Sequence, residues 1–125
     1  MADKRKKILI VEDDTAIKNA LINKFDSASY EVLAASDGEE GLRAFTSFKP
    51  DIVLLDIVMP KKNGFEVLEA IRLNDKSHVP ILILSNLEME NDRQTGKDLG
   101  ADGYYIKAET TMSELAKIIK SKLER

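Results

Sequence analysis

Five short apolar runs alternate along the chain with segments whose apolar residues recur at helical spacing. The runs are rich in β-branched residues and lie at 7–11, 30–35, 51–56, 81–84 and within 100–107. Helical patterns cover 15–27, 65–73, 87–99 and 111–124, and another helix begins at 36–37. Regular β–α alternation builds a parallel sheet with helices on both faces, joined by right-handed crossovers. The sequence therefore predicts an α/β fold with a doubly wound, five-stranded parallel sheet.

The composition narrows the class of protein further. The pattern fills residues 1–125, so we expect one domain and no effector domain in this chain. Because the chain has no cysteine, disulfides, thiolate metal ligands and thiol nucleophiles are excluded. Its 19 basic and 22 acidic residues give a net charge of −3, which provides no general attraction to nucleic acid. No apolar run is long enough to span a bilayer and no signal-peptide pattern follows the N-terminus, so the expected location is the cytoplasm.

Acidic residues stand at the ends of two of these runs. Glu12, Asp13 and Asp14 follow the first run directly, and Asp56 closes the third. In an open parallel sheet, ligands bind beyond the carboxyl ends of the strands, near the point where the strand order reverses. Crowded carboxylates disfavour each other's ionised forms unless a cation lies among them, and oxygen ligands of this kind suit Mg²⁺. We therefore predict a Mg²⁺ site formed by Glu12, Asp13 and Asp56.

Helix capping is the alternative explanation for acids that follow a strand. Aspartate is a favoured N-cap, and the helix dipole stabilises a carboxylate at that position. We prefer this explanation for Asp14 alone, with Thr15 as another candidate cap. Capping does not explain Asp56, because the loop "IVMPKKNG" follows it and no helix begins beside it.

Two further polar residues are expected at the same edge of the sheet. Ser85 follows the fourth run and Lys107 follows the fifth. Each is a weak signal by itself, since a serine at a strand end is usually a turn residue and a lysine there is usually solvated. Together with Asp56 they match the needs of phosphoryl transfer: a carboxylate nucleophile, a hydroxyl that hydrogen-bonds a phosphoryl oxygen, and an ammonium that neutralises charge.

The motifs "ILIVEDD", "DIVLLDIVMPKKNG", "PILILS" and "GADGYYIKA" carry these residues. In this order and spacing they resemble the receiver domains of bacterial two-component response regulators, and the likeness spans nearly the whole chain. The resemblance implies a (βα)5 flavodoxin-like fold and a phosphorylation-dependent signalling switch. Such a switch catalyses only its own phosphorylation and dephosphorylation, and its phosphodonor is a sensor histidine kinase or a phosphotransfer protein.

The resemblance also assigns roles to individual residues. Asp56 would accept the phosphoryl group, with Ser85 and Lys107 as its catalytic partners. The groups that would hold Mg²⁺ are Glu12, acting through water, Asp13, Asp56 and the backbone carbonyl of Val58. In the switch, the Ser85 hydroxyl would swing toward the phosphoryl group and Tyr104 would fill the space that it leaves.

The resemblance implies that partners read the face formed by the fourth helix, the fifth strand and the fifth helix. The segment 87–99 suits this role, because it contains Gly96 and has few apolar anchors, mainly Met89 and Leu99, so that its displacement costs little. We expect an unknown downstream protein target and no direct contact with nucleic acid or membrane. The expected oligomeric state is a monomer or a weak, phosphorylation-dependent dimer.

Two positions depart from the family's pattern. The family usually has proline after the lysine, in a cis peptide, where this chain has Ala108. A cis bond to a non-proline residue costs about 3–4 kcal/mol, so we expect a trans Lys107–Ala108 bond and a rearranged loop after it. The residue after the hydroxyl is usually alanine or another small residue. Here it is Asn86, which could narrow access to Asp56 or hydrogen-bond the phosphoryl group.

Val58 and Leu87 flank the predicted site and have no polar atoms in their side chains. Neither side chain can orient an attacking water molecule. The sequence therefore predicts slow self-dephosphorylation.

Three other functions fit parts of the pattern. A pseudo-receiver, which binds partners without being phosphorylated, is the main alternative, although the retained acids, Ser85 and Lys107 argue against it. A Mg²⁺-dependent phosphatase similar to haloacid dehalogenases would need a second acid two residues after Asp56, where Val58 stands. A dinucleotide-binding domain needs a glycine-rich turn after the first strand, whereas "VEDDTA" is anionic and would repel a pyrophosphate.

Overall fold

The computed structural model describes residues 4–75, 78–87 and 90–124. Strands and helices alternate in the order β1 (Lys6–Val11), α1 (Thr15–Ile22), β2 (Tyr30–Ala35), α2 (Gly38–Phe48), β3 (Ile52–Leu55), α3 (Gly64–Asp75), β4 (Ile81–Ser85), α4 (Glu90–Asp98), β5 (Gly103–Ile106) and α5 (Met112–Leu123). A short 3₁₀ turn, Lys107–Glu109, follows β5. Within the described ranges, no helix has both the length and the apolar character needed to cross a membrane.

The five strands form one parallel sheet with the order β2-β1-β3-β4-β5, which confirms the predicted doubly wound architecture. The chain moves from β1 outward to β2 and then returns to place β3 on the other side of β1. The strand order therefore reverses between β1 and β3. The residues that follow these two strands begin with Glu12 and Asp56, so both carboxylates lie at the reversal point, where this kind of sheet binds ligands.

Side-chain alternation along the buried strands divides the apolar residues between two cores, one on each face of the sheet. Ile8 and Ile10 of β1 pack in a core with α1 and α5. Leu9 and Val11 pack on the opposite face, in a core with α2 and α3. β1, β3 and β4 are covered on both faces, which explains why their sequences are apolar throughout.

The first helix is shorter than its sequence pattern suggests. The pattern predicted a helix over 15–27, but α1 ends at Ile22 and the chain continues as a turn. The amide of Phe25 donates to the carbonyl of Ile22, three residues back, at 3.2 Å, which is turn geometry. Phe25 is nevertheless buried and packs edge-on against Tyr30. The predicted length was wrong because an apolar side chain reaching the core from a turn has the same spacing as one on a helix.

The remaining boundaries lie close to the predicted ones, with two differences around α4 and β5. The helix predicted over 87–99 corresponds to α4, and Met89, one of its predicted anchors, lies outside the described residues. Gly96 is buried in α4, and Leu99 packs partly buried just after it. The stretch 100–107 contains a strand of only four residues, and Lys107 begins the 3₁₀ turn that follows.

Candidate functional site

Glu12, Asp13 and Asp56 converge at the carboxyl edge of the sheet. Glu12 and Asp13 directly follow β1, Asp56 directly follows β3, and one carboxylate oxygen of each lies within 4.8 Å of the others. Glu12 and Asp56 are almost completely buried, with 2% and 4% of their surface exposed, whereas Asp13 is exposed. Three carboxylates at this spacing, one of them open to solvent, fit a hard divalent cation that keeps part of its water shell.

The ammonium group of Lys107 lies between the two buried carboxylates. Its Nζ is 2.9 Å from Oε1 of Glu12 and 3.1 Å from Oδ2 of Asp56. Lys107 directly follows β5 as the first residue of the 3₁₀ turn, and its side chain reaches the residues that follow β1 and β3. The ends of β1, β3 and β5 thus contribute charged groups to a single cluster.

The electrostatics of the cluster depend on burial. Burial raises the pKa of Glu12 from 4.5 to about 7, and the neighbouring Asp56 also raises it, while hydrogen bonds from Lys107 and from the amide of Asp14 oppose the rise. Burial lowers the pKa of Lys107, but the two carboxylates outweigh it, so that this pKa lies above its ordinary value. The lysine therefore stays charged at neutral pH.

Backbone contacts on both sides hold Asp56 in place. Its amide donates to the carbonyl of Val11 at 2.9 Å, which continues the pairing of β3 with β1. Its Oδ1 accepts a hydrogen bond from the amide of Ile57 at 2.8 Å. Gly64, the first residue of α3, donates to the carbonyl of Ile57 at 2.8 Å and lies so close that a Cβ there would clash with the carbonyl oxygen of Asp56. The loop after Asp56 is thus folded back against it.

Ser85 is fully buried at the end of β4, and its hydroxyl is engaged by residues other than Asp56. Its Oγ accepts a hydrogen bond from the amide of Leu87 at 3.2 Å. Tyr104 donates its hydroxyl to the carbonyl of Leu87 at 2.9 Å. Ser85 and Tyr104 are therefore linked through the amide and the carbonyl of Leu87, beside the acidic cluster.

Asp14 is the N-cap of α1, as predicted, because its side chain accepts a hydrogen bond from the amide of Ile17 at 3.1 Å. Capping by Asp14 leaves Glu12 and Asp13 as the acids after β1 that capping does not explain. Asp37 caps α2 in the same way. The trans Lys107–Ala108 bond is confirmed, since the described residues contain no cis peptide.

Two other positions near the site are exposed. Val58 and Asn86 are both exposed. The role of the Val58 backbone carbonyl as a Mg²⁺ ligand stays a prediction. Sequence reasoning missed Arg93, whose guanidinium carbon lies 5.5 Å from the ring centroid of Tyr104. An arginine on a polar helix carries no periodic signal that would point to this contact.

Comparison with known proteins identifies the family to which this chain belongs. The sequence model of the response regulator receiver domain matches residues 8–120. The chain is 45% identical over 103 residues to a probable transcriptional regulator, ycf27, from Guillardia theta, with 82% of this chain and 40% of that protein covered. It spans about half, or less, of the length of the curated relatives that it matches.

Solved structures agree with the sequence match. A CheY-like receiver domain protein from Methanospirillum hungatei JF-1 has a TM-score of 0.84 and 30% identity, covering 96% of this chain and 94% of that one. A complex of CheX, CheY, BeF₃ and Mg²⁺ from Borrelia burgdorferi has a TM-score of 0.83 and 27% identity, covering 94% of this chain and 89% of that one. The resemblance carried by the sequence motifs is thereby confirmed, and the chain belongs to the response regulator receiver domain family of two-component signalling.

Proposed function

We propose that this receiver domain accepts a phosphoryl group on Asp56 in a Mg²⁺-dependent reaction and passes the signal on by protein contact. The observation that carries the proposal is the convergence of Glu12, Asp13 and Asp56 to within 4.8 Å, with the Lys107 ammonium hydrogen-bonded to Asp56. Receiver domains as a family bind Mg²⁺ at an acidic pocket of this kind, and the Borrelia burgdorferi complex contains Mg²⁺ and BeF₃ by its description.

The proposed donor is a phosphohistidine on a sensor kinase or a phosphotransfer protein. An oxygen of Asp56 attacks phosphorus, an O–P bond forms, the P–N bond to the histidine breaks, and the released imidazole takes up a proton. Phosphoryl transfer depends mainly on positioning and charge neutralisation. Asp56 is positioned by the hydrogen bond that its amide donates to β1 and by the one that its side chain accepts from its own loop. Lys107, already directed at Oδ2, is placed to neutralise an oxygen of the incoming group.

The groups proposed to hold Mg²⁺ are Glu12 through water, Asp13, Asp56 and the backbone carbonyl of Val58. A bound Mg²⁺ would neutralise negative charge on the phosphoryl oxygens. Glu12 and Asp56 are buried beside each other, so their mutual repulsion would favour a cation in the cluster. Asp13 is exposed and provides the solvent side of the site.

The switch that we propose uses Ser85 and Tyr104. In this switch the Ser85 hydroxyl would turn toward a phosphoryl oxygen and give up the hydrogen bond that it accepts from the amide of Leu87. Tyr104, hydrogen-bonded to the carbonyl of the same residue, would then occupy the space that the hydroxyl leaves. The readout surface is proposed to be α4, β5 and α5, in a cytoplasmic protein that is a monomer or a weak dimer. Its partners would be the phosphodonor and an unidentified protein target.

Mass spectrometry after incubation with acetyl phosphate and Mg²⁺ tests the proposal. The wild-type chain should gain the mass of one phosphoryl group, and Asp56→Asn should not. EDTA should abolish the gain in the wild type, and restored Mg²⁺ should recover it. If the folded wild type stays unmodified and also fails to bind beryllofluoride with Mg²⁺, the proposal is wrong and the pseudo-receiver alternative stands.

A further inference from the structure

Tyr104 links the acidic edge of the sheet to α4. Its hydroxyl donates to the carbonyl of Leu87 at 2.9 Å. The amide of Leu87 in turn donates to Ser85 Oγ. Ser85 and Tyr104 therefore share the backbone of Leu87 as a hydrogen-bond partner, so a movement of the serine that shifts Leu87 would also act on the tyrosine.

Two residues of α4, one helical turn apart, contact the ring of Tyr104. The guanidinium carbon of Arg93 lies 5.5 Å from the ring centroid. A Cβ at Gly96 would lie 3.4 Å from Cδ2 of the ring and 2.9 Å from the Ile83 side chain, so glycine leaves room for the ring against the sheet. Residues three apart on a helix share one face. Arg93 and Gly96 therefore lie on the face of α4 that packs against the ring of Tyr104.

The chain just beyond the C-terminal end of α4 is tied to α3 by charged hydrogen bonds. Arg72 of α3 donates from Nε and from one terminal nitrogen to the carbonyl of Gly100, at 3.1 and 2.9 Å. It also donates to Oδ2 of Asp102 at 3.0 Å. With this end held, a change in the tilt of α4 would be largest toward its N-terminal half, where Arg93 lies over the ring.

We propose that Arg93 is a positioning residue. It holds Tyr104 in the orientation in which Ser85 is bonded to Leu87, and it thereby sets how readily Ser85 turns toward a phosphoryl group on Asp56. This inference rests on the proposed function, because it concerns the same switch. It adds a specific side chain of α4 whose charge opposes activation.

The chemistry of the contact supports the assignment. A guanidinium over an aromatic face is attracted by the ring quadrupole, and the strength at a partly exposed site corresponds to about a two- to fivefold change in an equilibrium constant. Burial raises the pKa of the Tyr104 hydroxyl, and the nearby Asp92 and Asp56 add to the rise, while Ser85 and Arg93 oppose it. Arg93 is therefore close enough to the tyrosine for its charge to act on the hydroxyl.

The test compares Arg93→Met, which keeps the length of the side chain but not its charge, with the wild type. Calorimetric titration with beryllofluoride at saturating Mg²⁺ should give about two- to fivefold tighter binding for the variant, since less restraint has to be broken. Arg93→Lys keeps a cation and should stay near the wild type. Lys97→Met removes an exposed charge from the same helix and should leave the affinity unchanged.

A double-mutant cycle separates the ring contact from other effects of the charge. In a Tyr104→Leu background, Arg93→Met should no longer change beryllofluoride affinity, whereas in Tyr104→Phe, which keeps the ring, it should. As a second readout, absorbance titration should show a higher pKa for Tyr104 in Arg93→Met, assigned by its disappearance in Tyr104→Phe.

Two results would overturn the inference while leaving the proposed function intact: unchanged affinity in Arg93→Met, or a change that persists in Tyr104→Leu. A wild-type protein that binds no beryllofluoride would instead overturn the proposed function. The two failures are therefore distinguishable.

Discussion

Nζ of Lys107 lies 3.1 Å from Oδ2 of Asp56, so the residue after β5 is hydrogen-bonded to the residue after β3 across the intervening strand. The same nitrogen lies 2.9 Å from Oε1 of Glu12, at the end of β1. One ammonium is therefore the partner of two buried carboxylates. We therefore expect both the stability of the folded chain and the proposed reactivity of Asp56 to depend on this lysine.

Replacing Lys107 with methionine should weaken both properties. Removing one partner of a buried ion pair costs up to about 3–5 kcal/mol, and protonation of Glu12 would offset part of this cost. We expect a loss of roughly 2–3 kcal/mol in the free energy of unfolding at neutral pH, measured in urea, and at least a tenfold slower reaction with acetyl phosphate. Lys117→Met, an exposed lysine on α5, is the control and should change neither quantity. A Lys107→Met variant that reacts at the wild-type rate would contradict the assigned role.

The raised pKa of Glu12 predicts how the stability of the metal-free protein depends on pH. Its pKa is about 7 in the folded chain and near 4.5 when unfolded, so between these values the folded state binds more protons. The free energy of unfolding should therefore fall as pH rises through this window, by a few kcal/mol at roughly 1.4 kcal/mol per pKa unit. In EDTA, Glu12→Gln should lack this fall and be more stable than the wild type at about pH 8. Identical pH profiles for the two proteins would show that Glu12 keeps an ordinary pKa.

The architecture and the acidic edge were predictable from sequence because both follow from local periodicity. Strands covered on both faces are apolar throughout, and parallel strands carry the residues that follow them to the same edge. Glu12 and Asp56 could therefore be brought together without knowledge of any contact. The same reasoning located Lys107 and identified Asp14 as a helix cap.

Contacts between elements that are distant in sequence were not predictable. Arg93 lies on a polar helix, and nothing in its surroundings indicates that it covers Tyr104. Arg72 likewise looks like a charged residue near the end of α3, although it reaches the carbonyl of Gly100. The end of α1 was missed because Phe25 is buried from a turn, and periodicity cannot distinguish that from burial on a helix.

Gly64→Ala tests the close packing of α3 behind Asp56. A Cβ at this position would clash with the carbonyl oxygen of Asp56, which is backbone and cannot yield without moving the site. We expect a destabilisation of about 1–3 kcal/mol and slower phosphorylation of the folded protein. Gly38→Ala creates a similar clash with the carbonyl of Lys62, six residues after Asp56 and not with Asp56 itself, and should cost stability with a smaller effect on phosphorylation. Equal effects on phosphorylation would show that Gly64 has no particular influence on Asp56.

The Arg72 hydrogen bonds predict an order of stabilities at the opposite end of the sheet. Arg72→Met removes the donor that serves the partly buried carbonyls of Gly100 and Val79, and losing these charged hydrogen bonds should cost about 1–3 kcal/mol. Asp102→Asn keeps an oxygen for the amide of Ile81, which donates to it at 2.8 Å, and should cost less. Thermal and urea unfolding measure the stability of both variants. An Asp102→Asn variant less stable than Arg72→Met would contradict this order.

Val58 and Leu87 predict a long-lived phosphoryl group. Hydrolysis of an aspartyl phosphate needs a water molecule oriented for attack on phosphorus, and positioning of this kind is worth large factors in rate. The exposed Val58 side chain lies two residues after Asp56 and offers no hydrogen-bonding atom, and Leu87 offers only its backbone, which is bonded to Ser85 and Tyr104. Val58→Asn would supply an amide at an exposed position where the fold tolerates it, and should speed loss of phosphate by roughly tenfold or more. The matched control is Val58→Thr, which introduces a polar group on a shorter side chain and should change the rate of phosphate loss less. Phosphate release after removal of the phosphodonor, followed with Mg²⁺ present, measures the rate. A wild-type lifetime of only seconds would mean that another group orients the water.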